Sequence, residues 1–580
     1  MKKSTKVMSL ALSALFAFGG LTACGNNGNS GGGSDTKVDE KTIVIKARQA
    51  GFGTDWLYEL EGKFEEAYKA EGYKVKILTP DNSINGDLVV QELALGYDET
   101  KVDLYITSGI TPDQVGKDGN YGLLVEDLSD LVYNQTAIAY NGTEESKTVA
   151  EKVSSDIMPY MTASTGEKFA YCWAQTSGGL VVNTKKLAKY GLEMPNTTNE
   201  MFDCFEQIYC GNDKVGSSLE SGTYPITYIS GGNGYGVVFL HTLVAQYDSE
   251  FFSKLWSFQT TNENGELVNL SDEACQNLYK DPAMFEMLKV AHQAFDQIIA
   301  APGSLSQTVD QAQAKIMDDI VDGAVFMFNG DWMLNEVKLY YPDELHDIDF
   351  VNFPVVSALG TKLFGAGTSY GLDEAKCDEL LSCIIDHVDE NKSIEDIIAG
   401  VKADMGIDIA EADAQEVARA RGVSYSRGVE HVAYVTKNTP KKDIVGKFLR
   451  MMSSDDFGKT FLNVANGSTP YYAAENTTSQ YAFVKNASKV TANRYFSLIS
   501  TFGAVRGYRK QLNILPFFTT VSHLPDHISE KSQATLYTVD CKKNGNTKEV
   551  YATAAEALMK SEVANLVDNW DLYRKNAGLN

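Results

Sequence analysis

Basic residues are scarce in this chain. Lys and Arg number 51 against 77 Asp and Glu, giving a formal net charge of −26 over 580 residues. No basic stripe offsets that balance, since the local excess at Lys441-Lys442 is two residues long. A body of this charge repels polyanions, which excludes nucleic acid and anionic lipid surfaces as natural partners. Cysteines are few as well, eight in all, with no CxxC pair and no metal-type spacing to a histidine, so neither a metal nor another cofactor is expected. Cys204 and Cys210, like Cys377 and Cys383, lie six apart in helical patterns, where they point to different faces and cannot bridge; buried thiols are the reading. The phosphate-cradling pattern GxxxxGKS is missing, which assigns any ATP hydrolysis to a separate subunit. The apolar run Val7–Phe18 is too short to span a bilayer as a permanent helix.

What is present begins with a leader. Lys2, Lys3 and Lys6 form a basic start, Val7–Phe18 an apolar middle, and Leu21-Thr22-Ala23-Cys24-Gly25 a small-residue cleavage region, so residues 1–23 read as an export signal. Leu-Thr-Ala-Cys resembles the bacterial lipobox, which implies cleavage before Cys24 and diacylglycerol on its sulfur; the alternative is an ordinary signal with a chance cysteine. Gly25–Ser34, GNNGNSGGGS, cannot bury a core and reads as a flexible tether within residues 24–41. Loss of the three leader lysines takes the charge from −26 to −29. The rest, 43% apolar over the whole chain, suffices for two or three domains.

Thr42–Ile45 predicts a first strand, and Thr54-Asp55 starts a helix with Trp56, Leu60, Phe64 and Ala67 on one stripe. Val75–Leu78, a helix over Leu88–Leu95 and Val102–Ile106 continue a strand–helix alternation that implies a parallel, helix-covered sheet. Ligands sit at the carboxyl ends of such strands, which nominates the loops Gln49–Asp55 and Thr107–Thr111. Further on, Ala324–Phe328 reads as a buried strand broken by Asn329-Gly330, with a helix restarting at Asp331.

The run Phe169–Asn183, then Gly191-Leu192 and Pro195, the crest Phe328-Asn329-Gly330-Asp331-Trp332, the segment Lys437–Phe461, Gly467–Tyr472 and a last amphipathic helix with Trp570 and Tyr573 occur in an order that resembles the extracellular solute-binding proteins of carbohydrate ABC importers (family 1). The resemblance covers most of the mature chain. It implies an α/β fold of two periplasmic-binding-protein-like lobes (type II) joined by hinge crossovers at Phe169–Gln175, Phe350–Val355 and near Gly467–Tyr472. The lobes follow as 42–170 and 351–470 for the first, and 171–350 and 471–580 for the second. Two stretches depart from the pattern. Residues 374–424 form a helical insertion, with Leu380, Leu381, Ile384, Ile385 and Val388 on one stripe and a capped helix after Ser393. Tyr495–Tyr551 does not align.

The resemblance implies a binding protein rather than an enzyme: a monomer anchored by lipid on the extracytoplasmic face of the cell membrane, of Gram-positive type, that passes a carbohydrate to permease subunits. A sugar ring offers one apolar face and a rim of hydroxyls, so it calls for a flat platform beside hydrogen-bonding groups. Trp332 with Asp331 and Asn329 supplies both within four residues; the plainer reading of Trp332 is core. Trp173, Tyr370 in GAGTSYG, and Tyr235 in SGGNGYG are further aromatic candidates, against core packing or turn chemistry. Asp55 is a hydroxyl acceptor or a helix cap, and Trp56 starts a core stripe. Two motifs point elsewhere: Gly367–Gly371 fits a GxSxG elbow around Ser369, with His387, His431, His523 or His527 as possible bases, and Asp81–Glu92 mimics a calcium loop. The elbow lacks an uninterrupted strand before it, and a strand rather than a helix precedes the calcium-like loop. Replacing Cys24 by Ser should abolish incorporation of labelled palmitate and release the protein into the medium, as read by autoradiography of cell and culture fractions.

Overall fold

β-branched residues make Thr42–Ala47 the strand β1, with Ile43, Ile45 and Ala47 facing inward in strict alternation. The structure is a computed structural model, and it describes residues 40–579 except 50, 82, 154–157, 175, 211–222, 230–235, 297–298, 319–322, 339, 427–430, 466–493, 496, 501–506 and 515–546. Cys24 with its leader and tether, Tyr235, Gly467–Tyr472, His523 and His527 therefore lie outside the described residues. From β1 the chain forms a helix over Asp55–Ala67, which buries Trp56, Leu57, Leu60 and Phe64, then β2 (Lys74–Ile77), a helix over Gly86–Leu95, and β3 (Leu104–Thr107). β2 and β3 flank β1 in parallel, as the strand–helix alternation requires. After a small hairpin of β4 (Thr136–Ile138) and β5 (Glu144–Thr148), β6 (Tyr171–Ala174) becomes the far edge of this sheet. The strand between β3 and β6 arrives from much later in the chain: it is β14 (His431–Val435), antiparallel to both.

Three residues after β6 a second sheet starts with β7 (Gly178–Asn183). Beyond β7 lie β11 (Gly323–Gly330), antiparallel to it, and β8 (Thr223–Thr227), parallel to β11. The other side of β7 takes β12 (Ile348–Val351) and β13 (Val423–Ser426), the latter paired with β15 (Ser497–Ser500). The short hairpin β9 (Gln259–Thr261) and β10 (Leu267–Asn269) stands apart. All eight residues of β11 are buried, because helices cover both faces of the sheet. Phe328 stacks on Phe239 at 4.5 Å on one face, while Ala324 and Met327 meet Ile316 and Met333 on the other. That double cover explains an apolar run in place of alternation.

Two α/β lobes thus form, and the described residues pass from one to the other three times: from β6 to β7, from β13 to β14, and between the helix Asp455–Val464 and β15. The second crossing corrects the expectation that Phe350–Val355 leads back to the first lobe and that residues 351–470 belong there. Phe350 and Val351 pair with Val181 and Leu180 in the second sheet, and Val355 bridges Thr197. The helices Ser357–Phe364, Glu374–Asp389, Ile394–Met405 and Glu411–Gly422 bury Leu359, Leu381, Val401 and Val417 in the second lobe's core. Arg421 fastens this region: it donates to both Asp389 oxygens at 2.9 and 2.7 Å and to the Phe353 carbonyl at 3.2 Å. Among the described residues after β7, those from β14 to the helix ending at Val464 rejoin the first lobe. The expected crossing near Gly467–Tyr472 falls outside the described residues. The C-terminal helix, Thr547–Asn576, buries Leu558, Leu566 and Trp570 in the second lobe. Among the described residues no helix is long and apolar enough to cross a membrane.

Removing one partner of the Arg421–Asp389 pair leaves a buried, unpaired charge, at a cost of about 3–5 kcal/mol. Asp389→Ala should therefore lower unfolding stability by that amount in a denaturant titration, whereas a substitution at the exposed pair Lys402–Asp408 should change it by under about 1 kcal/mol.

Candidate functional site at the seam between the lobes

β11 runs two residues past its apolar stretch, since Asn329 and Gly330 still pair with Gly179 and Gly178. The helix consequently restarts at Met333 rather than at Asp331. Asp331 closes the gap: its N–H donates to the Ser177 carbonyl at 3.0 Å, and its Oδ1 accepts from the Ser177 N–H at 3.2 Å. Ser177 lies in the link between β6 and β7, and its hydroxyl meets that of Ser424 on β13 at 2.8 Å. The end of β11 is thereby pinned to one of the segments that join the lobes and, through Ser177, to β13.

Trp332 follows directly. Its indole folds back over Gly330, where a Cβ would lie 1.8 Å from Cζ3, so only glycine fits beneath the ring. The ring then enters a cluster whose other members belong to the first lobe, among them Phe52, Trp56 and Trp173, and is left 7% exposed. Trp332 is buried, as its plainer reading holds, yet its burial is made by both lobes. Around it Asn335 donates through Nδ2 to the Gly51 carbonyl, and Lys338 reaches the Val464 carbonyl at 3.5 Å. Gly51 faces the seam so closely that a Cβ there would stand 3.0 Å from Trp332 Cδ1 and 2.7 Å from Glu336 Oε1.

On the first-lobe side Trp173 is the last residue but one of β6, stacked on Trp56 at 4.6 Å and meeting Phe52 and His431 edge-on at 5.9 and 5.0 Å. It is 2% exposed, and its Nε1 has no hydrogen-bond acceptor among the described residues. The Trp56 Nε1 by contrast donates to the Gly53 carbonyl at 3.0 Å, completing the core role expected of that residue. On the second-lobe side Glu336 accepts from Gln313 Nε2 at 2.6 Å, and burial pushes its carboxyl up to about 7, with Asp310 adding to the effect.

The other candidates sit elsewhere. Asn329 is buried inside β11, where its Oδ1 takes the Gly330 N–H at 2.8 Å and its Nδ2 points to Met327 Sδ at 3.6 Å. Tyr370 packs edge-on against Phe364, donates to Asp413 at 2.7 Å and accepts from the Ala410 N–H at 2.8 Å, so it ties its loop to the start of the helix Glu411–Gly422. Asp55 is exposed in the first turn of its helix, in a shallow surface depression with Tyr58, Glu59 and Lys63. A helix, Ser357–Phe364, rather than a strand leads toward Ser369, which removes the nucleophile-elbow geometry. Asp81 accepts from the Ser83 N–H at 2.7 Å, and Glu92 pairs with Lys46 at 2.6 Å, so the calcium-like residues are engaged separately.

Gly51, Asn335, Glu336 and Gln313 were not singled out by their sequence, and His431 only as a possible base for Ser369. A signal existed for two of them: Gly51 lies in the loop that strand-end logic nominates, and Glu336 is one helical turn after Trp332.

Two α/β lobes with three crossings is the architecture that the resemblance to carbohydrate solute-binding proteins implies. Solved structures similar in fold to the chain include a chitin oligosaccharide binding protein, at 12% identity and TM-score 0.48 over 90% of this chain and 100% of its own. A solute binding protein from Thermotoga lettingae bound with α-D-tagatose aligns at 13% identity and TM-score 0.48 over 90% and 100%, and the Thermus thermophilus maltotriose binding protein at 14% and 0.43 over 89% and 100%. No family model matches the chain, and no curated protein matches it. At this degree of likeness the lobes and crossings rest on the strand pairing itself.

Two outcomes follow from the seam. Gly51→Val should wedge the lobes apart, seen as a larger radius of gyration in solution scattering and a red shift in tryptophan emission. Glu336 keeps its proton when buried up to about pH 7 but ionises near 4.5 when unfolded. Its contribution is thus fully present below pH 4.5 and is lost as pH rises through 7. Glu336→Gln should remove that slope from a plot of Tm against pH.

Proposed function

We propose that the chain is the substrate-binding component of an ABC importer, held on the extracytoplasmic face of the membrane by lipid on Cys24, and that it captures a sugar or oligosaccharide between its lobes for delivery to a permease. The observation that carries this reading is the seating of Trp332, a second-lobe residue, in the aromatic cluster of the first lobe. A seam of this kind opens and closes about the crossings, and a guest that touches both sides stabilises the closed form by contacts the open form lacks.

The groups at the seam suit an uncharged, hydroxyl-rich guest. Trp332 offers a flat apolar face when the seam opens, and the Trp173 Nε1 hydrogen, which has no acceptor among the described residues, is one that a sugar oxygen would satisfy. Asp331, Asn335, Gln313 and Glu336 provide acceptors and donors close to the indole; at neutral pH Glu336 is poised to do either.

A thermal-shift screen across mono- and oligosaccharides, followed by calorimetry, tests the proposal. The expected result is one saccharide that raises Tm, binds without product formation, and loses about 10–100-fold in affinity in Trp332→Ala, equivalent to about 1.4–2.8 kcal/mol. Heat from a peptide or polyamine with none from any saccharide would overturn the carbohydrate assignment, and accumulation of a cleaved product would overturn the binding role.

A further inference from the structure

Cys383 and His387 lie one turn apart on the helix Glu374–Asp389, and the following helix, Ile394–Met405, brings Asp404 to the same place. One donor atom from each, a thiol sulfur, a ring nitrogen and a carboxylate oxygen, falls within 4.8 Å of the other two. Sequence spacing conceals the group because its third member comes from a different helix. Two features mark it as more than a chance meeting of polar side chains.

The first is the imidazole. His387 is 8% exposed, yet its Nε2 makes no hydrogen bond. Asp404 Oδ2 stands 3.0 Å from that nitrogen but off the line a hydrogen bond needs. Two ligands of one small cation, each about 2.0–2.2 Å from it, meet each other at roughly this separation without bonding directly. The second is Gly400, whose missing side chain leaves room against the ring: a Cβ there would lie 2.5 Å from Nε2. On the far side of the imidazole, Lys392 donates to Nδ1 at 2.7 Å and pairs with Glu390 at 2.6 Å. Nε2 on a metal leaves the hydrogen on Nδ1, so binding requires the Lys392 ammonium to withdraw from Nδ1 to Glu390.

We infer that Cys383, His387 and Asp404 form a binding site for a zinc-type divalent transition-metal ion that clamps the two helices together. The thiol and imidazole select such an ion over magnesium or calcium. On binding, Cys383 gives its proton to solvent and forms a metal–sulfur bond, and water completes four-coordination on the side of Asp404, whose side chain is 59% exposed. The site is in the body of the second lobe, apart from Trp332 and the seam, and is independent of the proposed sugar capture.

Titration of the purified, metal-stripped full chain with Co²⁺ tests this. One equivalent should bind with visible ligand-field bands and a near-ultraviolet thiolate-to-cobalt band, both erased by one equivalent of Zn²⁺. Cys383→Ser should abolish the near-ultraviolet band, and His387→Gln should weaken binding at least tenfold. Absence of the band in the parent chain, or its persistence in Cys383→Ser, would overturn the assignment. Should that variant fail to fold, alkylation of Cys383 in the parent chain, followed by peptide mass mapping, gives the same decision: at least tenfold protection by one equivalent of Zn²⁺ supports the site, and an unchanged rate refutes it.

Discussion

The contact on which the arrangement of this molecule turns is an indole laid over a glycine. Trp332 can reach the first lobe only because Gly330 leaves space beneath its ring, and the first lobe can receive it only because Gly51 presents bare backbone. Any side chain at either position would occupy the volume the ring now fills. Close packing makes such a seam bistable rather than compliant, since a radial gap of even 0.5–1 Å already forfeits a quarter to a half of the dispersion contact. The Asp331–Ser177 pair adds direction: it fixes the start of the Trp332 turn to a crossing segment, so motion about that crossing carries the indole with it.

Much of the α/β architecture was legible in the sequence because its signals are local. The apolar stripe Trp56, Leu60, Phe64 and the strand patterns at Thr42, Val75 and Val102 emerge with boundaries shifted by a residue or two. The buried strand of Ala324–Phe328 does as well, although Asn329 and Gly330 extend it because glycines of β7 lie opposite. Lobe membership was harder. Nothing in residues 351–426 states which sheet they join, since that depends on β12 finding β7 and on Arg421 finding Asp389, partners about 165 and 30 residues away along the chain.

The candidate site divides along the same line. Trp332, Asp331 and Trp173 were accessible as residue types with suitable chemistry, and the structure brings them to the seam or beside it. Tyr370 shares the aromatic and glycine context that drew attention to it, but its hydroxyl is engaged by Asp413 and Ala410, a pairing that spans some 40 residues and has no local signature. Glu336 shows the converse. A glutamate in a helix ordinarily reads as solvent-facing, and only contact with Gly51 and Gln313 from other segments turns it into a partly sequestered carboxyl.

The three crossings have a consequence for biogenesis. Neither lobe is contiguous in the chain: the first needs β14 and the helix ending at Val464 to complete its sheet and core, and the second needs Thr547–Asn576 to cover Pro282–Ala294. Wholly long-range completion slows folding, because loop closure must come before the contacts that reward it. Neither lobe can therefore close until nearly the whole polypeptide is available, with the order of the segments along the chain acting as the timer.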